Sequence, residues 1–238
     1  MVTALVFAGG MGERMNTLAK PKQFLALHGK PVIIYTLEHF ENHPQVDNII
    51  VVCIAGWVDR LADMLKQYNI NKVSRIVEGG DGGDRSIFNG LNAMQNTAED
   101  IVLIHDGVRP LITADLITAN IEKVKECGNA ITAEPVKESV VRVSRGSGKI
   151  VQVPPRNDMY VAKAPQSFRY GQIKDLYIRA RREGKRSIDS AHLCSLYGVE
   201  TFTVPSTPNN LKITNPADYY IFRALFEITE NQQIVMWL

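Results

Sequence analysis

The sequence predicts an α/β fold: a doubly wound, mostly parallel sheet with one β-hairpin arm projecting from it. Three observations carry this. Short apolar runs rich in β-branched residues alternate with segments of helical spacing through the first half of the chain; a hairpin pattern breaks that alternation after Pro135; helical spacing then resumes. The 238 residues are 45% apolar and 22% charged, which is enough to bury a sizeable core and too apolar for a disordered chain.

The elements follow in order. Strands are expected at 4–8, 49–53, 75–77 and 101–105, each short and bounded by turn residues, with helices at 32–43, 58–68, 86–94 and 114–127, the last after a capping Thr113. That βαβαβαβα order, with strands buried on both faces, implies a Rossmann-like doubly wound sheet whose ligands bind beyond the carboxyl ends of the strands. After Pro135, residues 140–143 and 150–153 flank Ser144-Arg145-Gly146-Ser147-Gly148, a hairpin signal. An arm over about 136–159 holds too few apolar positions for a core of its own, and a two-stranded ribbon is marginal alone, so a second copy of the chain is expected to pack against it in a homodimer. Helices at 170–182 and 189–197, a strand at 200–204 and a last helix over about 216–228 complete a chain that reads as one domain, 1–238, without repeats or linkers. The closing apolar residues 234–238 suit either contact with the body or partner, or a loose tail.

Several function classes drop out. A formal charge of +2 gives no global electrostatic reason for binding nucleic acid or an anionic membrane, while leaving small anionic substrates open. Cys53, Cys127 and Cys194 are scattered and lack CxxC spacing, which excludes a disulfide framework or zinc site and fits a reducing cytoplasm. The apolar opening reaches Gly9 without a basic start, too short for a signal peptide, and no run approaches the ~18 residues of a membrane span.

Chemistry gathers at the strand ends. The first strand runs into Ala8-Gly9-Gly10-Met11-Gly12-Glu13-Arg14, where glycines let backbone N–H groups approach an anion. The spacing is neither GxGxxG nor a Walker loop, and a plain tight turn explains the glycines as well; Arg14, Lys20 and Lys22 nearby turn the reading toward a polyphosphate. Lys20 suits a solvated surface, whereas Lys22 lies between rigid Pro21 and an apolar anchor beginning at Phe24. Asp106, ending the fourth strand, is placed either to hold Mg²⁺ together with substrate phosphates or to cap the following loop. Arg109 offers a fork for phosphate or a structural partner for Asp106, and His105 reads as a packed residue. A second glycine cluster, Gly79 to Gly83, has room for a flat base or ribose against backbone, with Ser86 near a helix start, although a plain flexible loop explains the glycines nearly as well. The basic run Arg179 to Arg186 reads as a solvated helix end. A nicotinamide-dependent reductase is disfavoured, because strand two ends Val52-Cys53-Ile54 without a carboxylate.

Taken in order, Ala8-Gly9-Gly10-x-Gly12-x-Arg14-Met15, Pro21-Lys22-Gln23-Phe24, Gly79-Gly80-Asp81, His105-Asp106-x-x-Arg109-Pro110, Ala164-Pro165-Gln166 and Asn210-Leu211-Lys212-Ile213-Thr214 resemble the cytidylyltransferases that act on methylerythritol phosphate and ribitol phosphate. The resemblance covers nearly the whole chain. It implies transfer of CMP from CTP to a polyol phosphate with Mg²⁺ among the phosphates. By motif, it implies that the Ala8, Gly9, Gly10 and Gly12 loop, Arg14 and Lys22 clasp the triphosphate, that Gly80, Asp81 and Ser86 meet cytosine and ribose, and that Asp106 sits at the metal. Arg109, Ser139, Arg156, Asp189 and Lys212 would meet the polyol phosphate, Ser139 and Arg156 coming from the other subunit. Three positions depart from the family pattern: Gly83 replaces an arginine, and Ala164 and Ile188 each replace a threonine. The eight-residue step from Arg14 to Lys22 looks more like the ribitol phosphate enzymes. The departures leave a nucleotide-binding protein without catalysis as the other reading.

Overall fold

The computed structural model describes residues 1–10 and 20–235, with side chains through 229. Strands β1 (Val2–Ala8), β4 (Asn48–Cys53), β5 (Val73–Glu78) and β6 (Ile101–Asp106) form the parallel half of a seven-stranded sheet, joined by helices α1 (Val32–Glu41), α2 (Val58–Gln67) and α3 (Gly83–Ala93). A short antiparallel pair, β2 (Ala26–Leu27) and β3 (Lys30–Pro31), precedes α1. After β6 come α4 (Ala114–Cys127), β7 (Asn129–Pro135), the arm strands β8 (Arg142–Val143) and β9 (Ile150–Gln152), and β10 (Tyr160–Arg169). The chain ends with α5 (Tyr170–Arg182), α6 (Ser190–Leu196), β11 (Thr203–Pro205) and α7 (Pro216–Val235).

Period-two burial explains the layers. Ala4, Val6 and Ala8 of β1 face one core with Ile33 and Leu37 of α1, Leu61 of α2 and Ile117 of α4. Leu5 faces the opposite core with Ile87 and Leu91 of α3 and Ile173 and Tyr177 of α5. Both faces of β1 are therefore covered, which is why its run reads as continuously apolar. Thr113 caps α4 as expected, its hydroxyl accepting from the Leu116 N–H at 3.3 Å.

The sheet order is β11-β7-β10-β6-β1-β4-β5. From β1 the chain moves outward through β4 and β5, then returns to lay β6 on the other side of β1. The order reverses between β1 and β6, so a crevice opens beyond Ala8 and Asp106.

Strands β7 and β10 were not among the sequence expectations. β10 runs antiparallel between β6 and β7 and contains Pro165, a residue that argues against a central strand; the pairing with β7 shifts register between Ala162 and Gln166, where the proline is accommodated. β7 is a mixed Asn-Ala-Ile-Thr-Ala-Glu-Pro segment whose burial comes from its neighbours rather than from its own apolarity. The expected hairpin is present: β8 and β9 pair antiparallel, and the Val136 N–H donates to the Met159 carbonyl at 3.0 Å, closing the base of the arm. The last helix runs past the expected end at 228, through Val235; residues 236–238 lie outside the described part of the chain. No helix among the described residues is long and apolar enough to cross a membrane.

Candidate active site

Two adjoining cavities occupy the switch-point crevice. The smaller, about 160 Å³, is lined by Ala8, Gly9, Gly10, Lys22, Gly80 and Ser86. The larger, about 350 Å³, is lined by Arg109, Lys163, Gln166, Ile188 and Asp189. Phe7, Gly83, Asp106 and Lys212 line both, so reactants in the two cavities would meet over the ends of β1 and β6.

The wall of the smaller cavity is backbone because two glycine loops touch. A Cβ on Gly9 would lie 3.3 Å from the Gly79 Cα and 3.0 Å from the Ser86 Oγ, so a side chain there would force the loops apart. Ser86 ties the second loop together: it accepts from the Gly80 N–H at 3.1 Å and donates to the Gly82 carbonyl at 2.8 Å. Gly82 has φ +103°, a left-handed conformation that starts α3.

Gln23 was quoted in the sequence motif without a role, and the structure supplies one. Only 1% exposed, it donates through Nε2 to the Ala8 carbonyl at 2.6 Å and the Gly10 carbonyl at 3.3 Å, holding the end of β1 open toward the cavity. Phe24 beside it is fully buried and stacks on Trp57 at 4.3 Å, which anchors the turn that carries Lys22. The Lys22 Nζ donates to the Ile213 carbonyl at 2.9 Å, linking this turn to the loop of Lys212. Gly12 and Arg14 lie outside the described residues.

Asp106 is the electrostatic centre. Its side chain is 6% exposed and bridges two cations: Oδ2 accepts from the Arg109 Nε at 2.8 Å, and Oδ1 lies 2.5 Å from the Lys212 Nζ. Burial works to raise the carboxyl pKa, but the Lys212 ammonium and the Arg109 guanidinium outweigh it and hold the group well below the usual carboxylate range. Arg109 also donates to the Asn210 carbonyl at 2.9 Å, so the structural partnership anticipated for it with Asp106 is present while it lines the larger cavity. Asn210, fully buried, donates to the Ala164 carbonyl at 2.7 Å and pins the loop that presents Lys212. His105 is packed against Phe40; burial pushes its imidazole down to about 3, so it stays neutral. Asp189 caps α6 through the His192 N–H at 2.7 Å and accepts from Gln166 at 3.2 Å.

Some expected site residues lie elsewhere. The Asp81 carboxylate is 86% exposed and does not line the smaller cavity; the nearby glycine backbone does. Ser139 and Arg156 are exposed on the arm and line neither cavity of their own chain. The basic run is not wholly a solvated helix end: Arg186 lies beyond α5 and forks onto Asp84 at 2.9 and 3.0 Å, also reaching the Asp81 carbonyl at 3.1 Å. No spacing signal marks this contact, because its partners are about a hundred residues apart. Lys163, which lines the larger cavity, forms an ion pair with Glu134, also unforeseen. Of the three departures, Gly83 leaves open space where a side chain would stand, Ala164 is buried, and Ile188, which lines the larger cavity, is 86% exposed.

A backbone cradle that joins a cation-lined cavity at the switch point of a doubly wound sheet is suited to a phosphate-bearing ligand. Residues 2–228 match the family model described as 2-C-methyl-D-erythritol 4-phosphate cytidylyltransferase. The ribitol-5-phosphate cytidylyltransferase of Streptococcus agalactiae serotype Ia is 45% identical over 237 residues, covering 98% of this chain and 99% of that protein. A 2-C-methyl-D-erythritol 4-phosphate cytidylyltransferase of Clostridium botulinum is 33% identical, covering 94% and 97%. The crystal structure of 4-diphosphocytidyl-2C-methyl-D-erythritol synthase from Anaerococcus prevotii superposes with a TM-score of 0.83 at 26% identity, covering 95% and 96%. The chain belongs to this cytidylyltransferase family.

Proposed function

We propose that this protein transfers CMP from CTP to D-ribitol 5-phosphate, giving CDP-ribitol and pyrophosphate. The observation that carries the choice of acceptor is the contrast in similarity: 45% identity with the ribitol-5-phosphate enzyme of S. agalactiae against 33% with the methylerythritol phosphate enzyme of C. botulinum, both over nearly the full chain.

In this reading the triphosphate lies along Gly9, Gly10 and Lys22, with Arg14 assigned to it by sequence motif alone, and the pyrimidine meets the backbone around Gly80 to Gly83 and Ser86. The acceptor phosphate lies in the larger cavity against Arg109 and Lys212, with Asp189 toward the polyol hydroxyls. An acceptor phosphate oxygen attacks the α-phosphorus in line, a new P–O bond forms, and the bond to the β-phosphate bridging oxygen breaks to release pyrophosphate. The acceptor is already an anion near neutral pH, so no general base or covalent enzyme intermediate is needed. The cations screen two approaching anions and stabilise charge on the transition state.

Asp106 is the carboxylate shared by the two cavities, and no group of three metal-ligating side chains exists among the described residues. Each Asp106 oxygen accepts one cation and keeps a second lone pair, a donor set suited to Mg²⁺ that arrives on the triphosphate rather than to a resident ion. Bound there, Mg²⁺ would offset phosphate charge. The arm supports a homodimer: Val141, Val143, Ile150 and Val153 are between 44% and 59% exposed, and a second subunit would cover them while bringing Ser139 and Arg156 to the acceptor. A CTP-consuming enzyme with three free thiols fits the cytoplasm.

The test incubates the protein with CTP, Mg²⁺ and either ribitol 5-phosphate or methylerythritol phosphate and measures pyrophosphate release. Faster turnover is expected with ribitol 5-phosphate. A preference for methylerythritol phosphate reassigns the acceptor, and release with neither defeats the catalytic reading.

A further inference from the structure

A third cavity, about 300 Å³, lies outside the crevice between the start of α3 and the end of α5. Four cationic side chains line it, Arg85, Arg181, Lys185 and Arg186; Asp84 is the lining carboxylate, while Lys185 also pairs with Glu183 at 2.8 Å and Arg85 with Asp81 at 3.6 Å from outside the cavity. Its floor is aromatic: Phe88 and the buried Tyr177 also line it. Arg181 carries its guanidinium carbon 4.7 Å from the Phe88 ring centroid, and no carboxylate among the described residues pairs with it. A guanidinium laid on an aromatic ring keeps its planar N–H edge for two parallel hydrogen bonds to the oxygens of an anion such as a phosphate group. Arg186 spends its fork on Asp84 and on the Asp81 carbonyl, and its Nη2 would lie 2.8 Å from a Cβ on Gly82. It thus clamps the loop that forms the wall of the smaller catalytic cavity.

We propose that this cavity is a second anion site, one that takes a phosphate group and is coupled to nucleotide binding through Arg186. The size stands at the bottom of the range for small-molecule pockets, which suits free phosphate or a small phosphate ester and not a nucleotide. An anion held by Arg181 and Lys185 competes with Asp84 for Arg186. Drawing that fork away releases the Asp81 carbonyl, loosens the loop and weakens the nucleotide; by linkage, the nucleotide weakens the anion equally. Because Arg186 is 58% exposed, although Asp84 is only 16% exposed, the coupling belongs at the low end of the usual range, about fivefold.

The coupling rests on the CTP reading above; occupancy of the cavity does not. Calorimetric titrations would use inorganic phosphate and, separately, glycerol 3-phosphate, on wild type and on an Arg181→Gln/Lys185→Gln double variant, each with and without CTP. Both side chains are exposed, so the variant is expected to fold; unchanged circular dichroism and melting check this. Wild type should bind the anion, the variant should bind it at least about tenfold more weakly, and saturating anion should raise the CTP dissociation constant about fivefold in wild type alone. The arm that binds more tightly identifies the source of the phosphate group. Equal anion binding by both proteins overturns the site. Anion-induced weakening of CTP that persists undiminished in the variant places the effect in the catalytic crevice and overturns the coupling. Failure to bind CTP at all, with anion binding intact and lost in the variant, faults the nucleotide reading and leaves the site standing.

Discussion

Replacing Asp106 with Asn tests the electrostatic centre, and the structure sets the size of the effect. The carboxylate is the counter-charge of Arg109, whose side chain is 9% exposed, and of Lys212, whose side chain is 38% exposed. Asparagine keeps the shape and one oxygen, so it can still accept from the Arg109 Nε. Its amide NH₂ then faces the Lys212 ammonium, donor against donor, and Arg109 is left as a buried cation without an anion. Removing one member of a buried pair costs roughly 3 to 5 kcal/mol; Lys212 can turn to water, so the low end applies, about 3 kcal/mol. For a chain of this length that corresponds to a fall in melting temperature of roughly 6 to 12 °C. Urea unfolding of both proteins gives the difference directly, and an unchanged slope confirms that the folded state is the one altered. The pH dependence follows from sign. The folded-state carboxyl titrates below its unfolded value of about 3.9, so the stabilisation is complete above that pH and declines only as pH falls further, toward the depressed value. The gap between wild type and variant should therefore hold constant near neutrality and narrow in strong acid. A loss under about 1 kcal/mol at pH 7 would refute the buried ion triad. In turnover, added Mg²⁺ should recover only part of the defect, because displaced Arg109 and Lys212 do not respond to metal.

Other outcomes follow from neighbouring contacts. Lys22→Ala should reduce turnover by about 10² to 10³ with the fold intact, while exposed Lys20→Ala stays within about twofold; equal losses would show that the Lys22 turn does not serve the triphosphate. Gln23→Leu strands the Ala8 and Gly10 carbonyls and should weaken CTP binding about tenfold in a direct titration, with turnover at saturation changing less; unchanged affinity counts against Gln23 as the brace of the loop. Mixing inactive Lys22→Ala and Arg156→Ala chains should restore activity in the hybrid dimers, since one site then has an intact crevice and an intact arm; no recovery after verified subunit exchange would place Arg156 in its own chain's site.

The sequence by itself determined the parallel half of the fold and the residues at its strand ends. Val2–Ala8, Asn48–Cys53 and Ile101–Asp106 are buried on both faces, so their β-branched runs carry their own signal, and the glycine loops, Lys22 and Asp106 follow at fixed offsets from them. Helices α4 and α5 were equally legible, because cap and periodicity are local properties. Tertiary structure decided the rest. β10 is a strand only because β6 and β7 flank it, which overrides Pro165. Gln23 braces the loop and Asn210 pins Lys212 through contacts whose partners lie on separately folded segments. Arg186, in the segment after α5, reaches Asp84 in the first turn of α3, and Asp81 turns outward although its motif suggested the pocket. Local pattern specifies which face of an element is apolar; which polar side chains meet across elements depends on the distances that packing sets, and no sequence spacing encodes them.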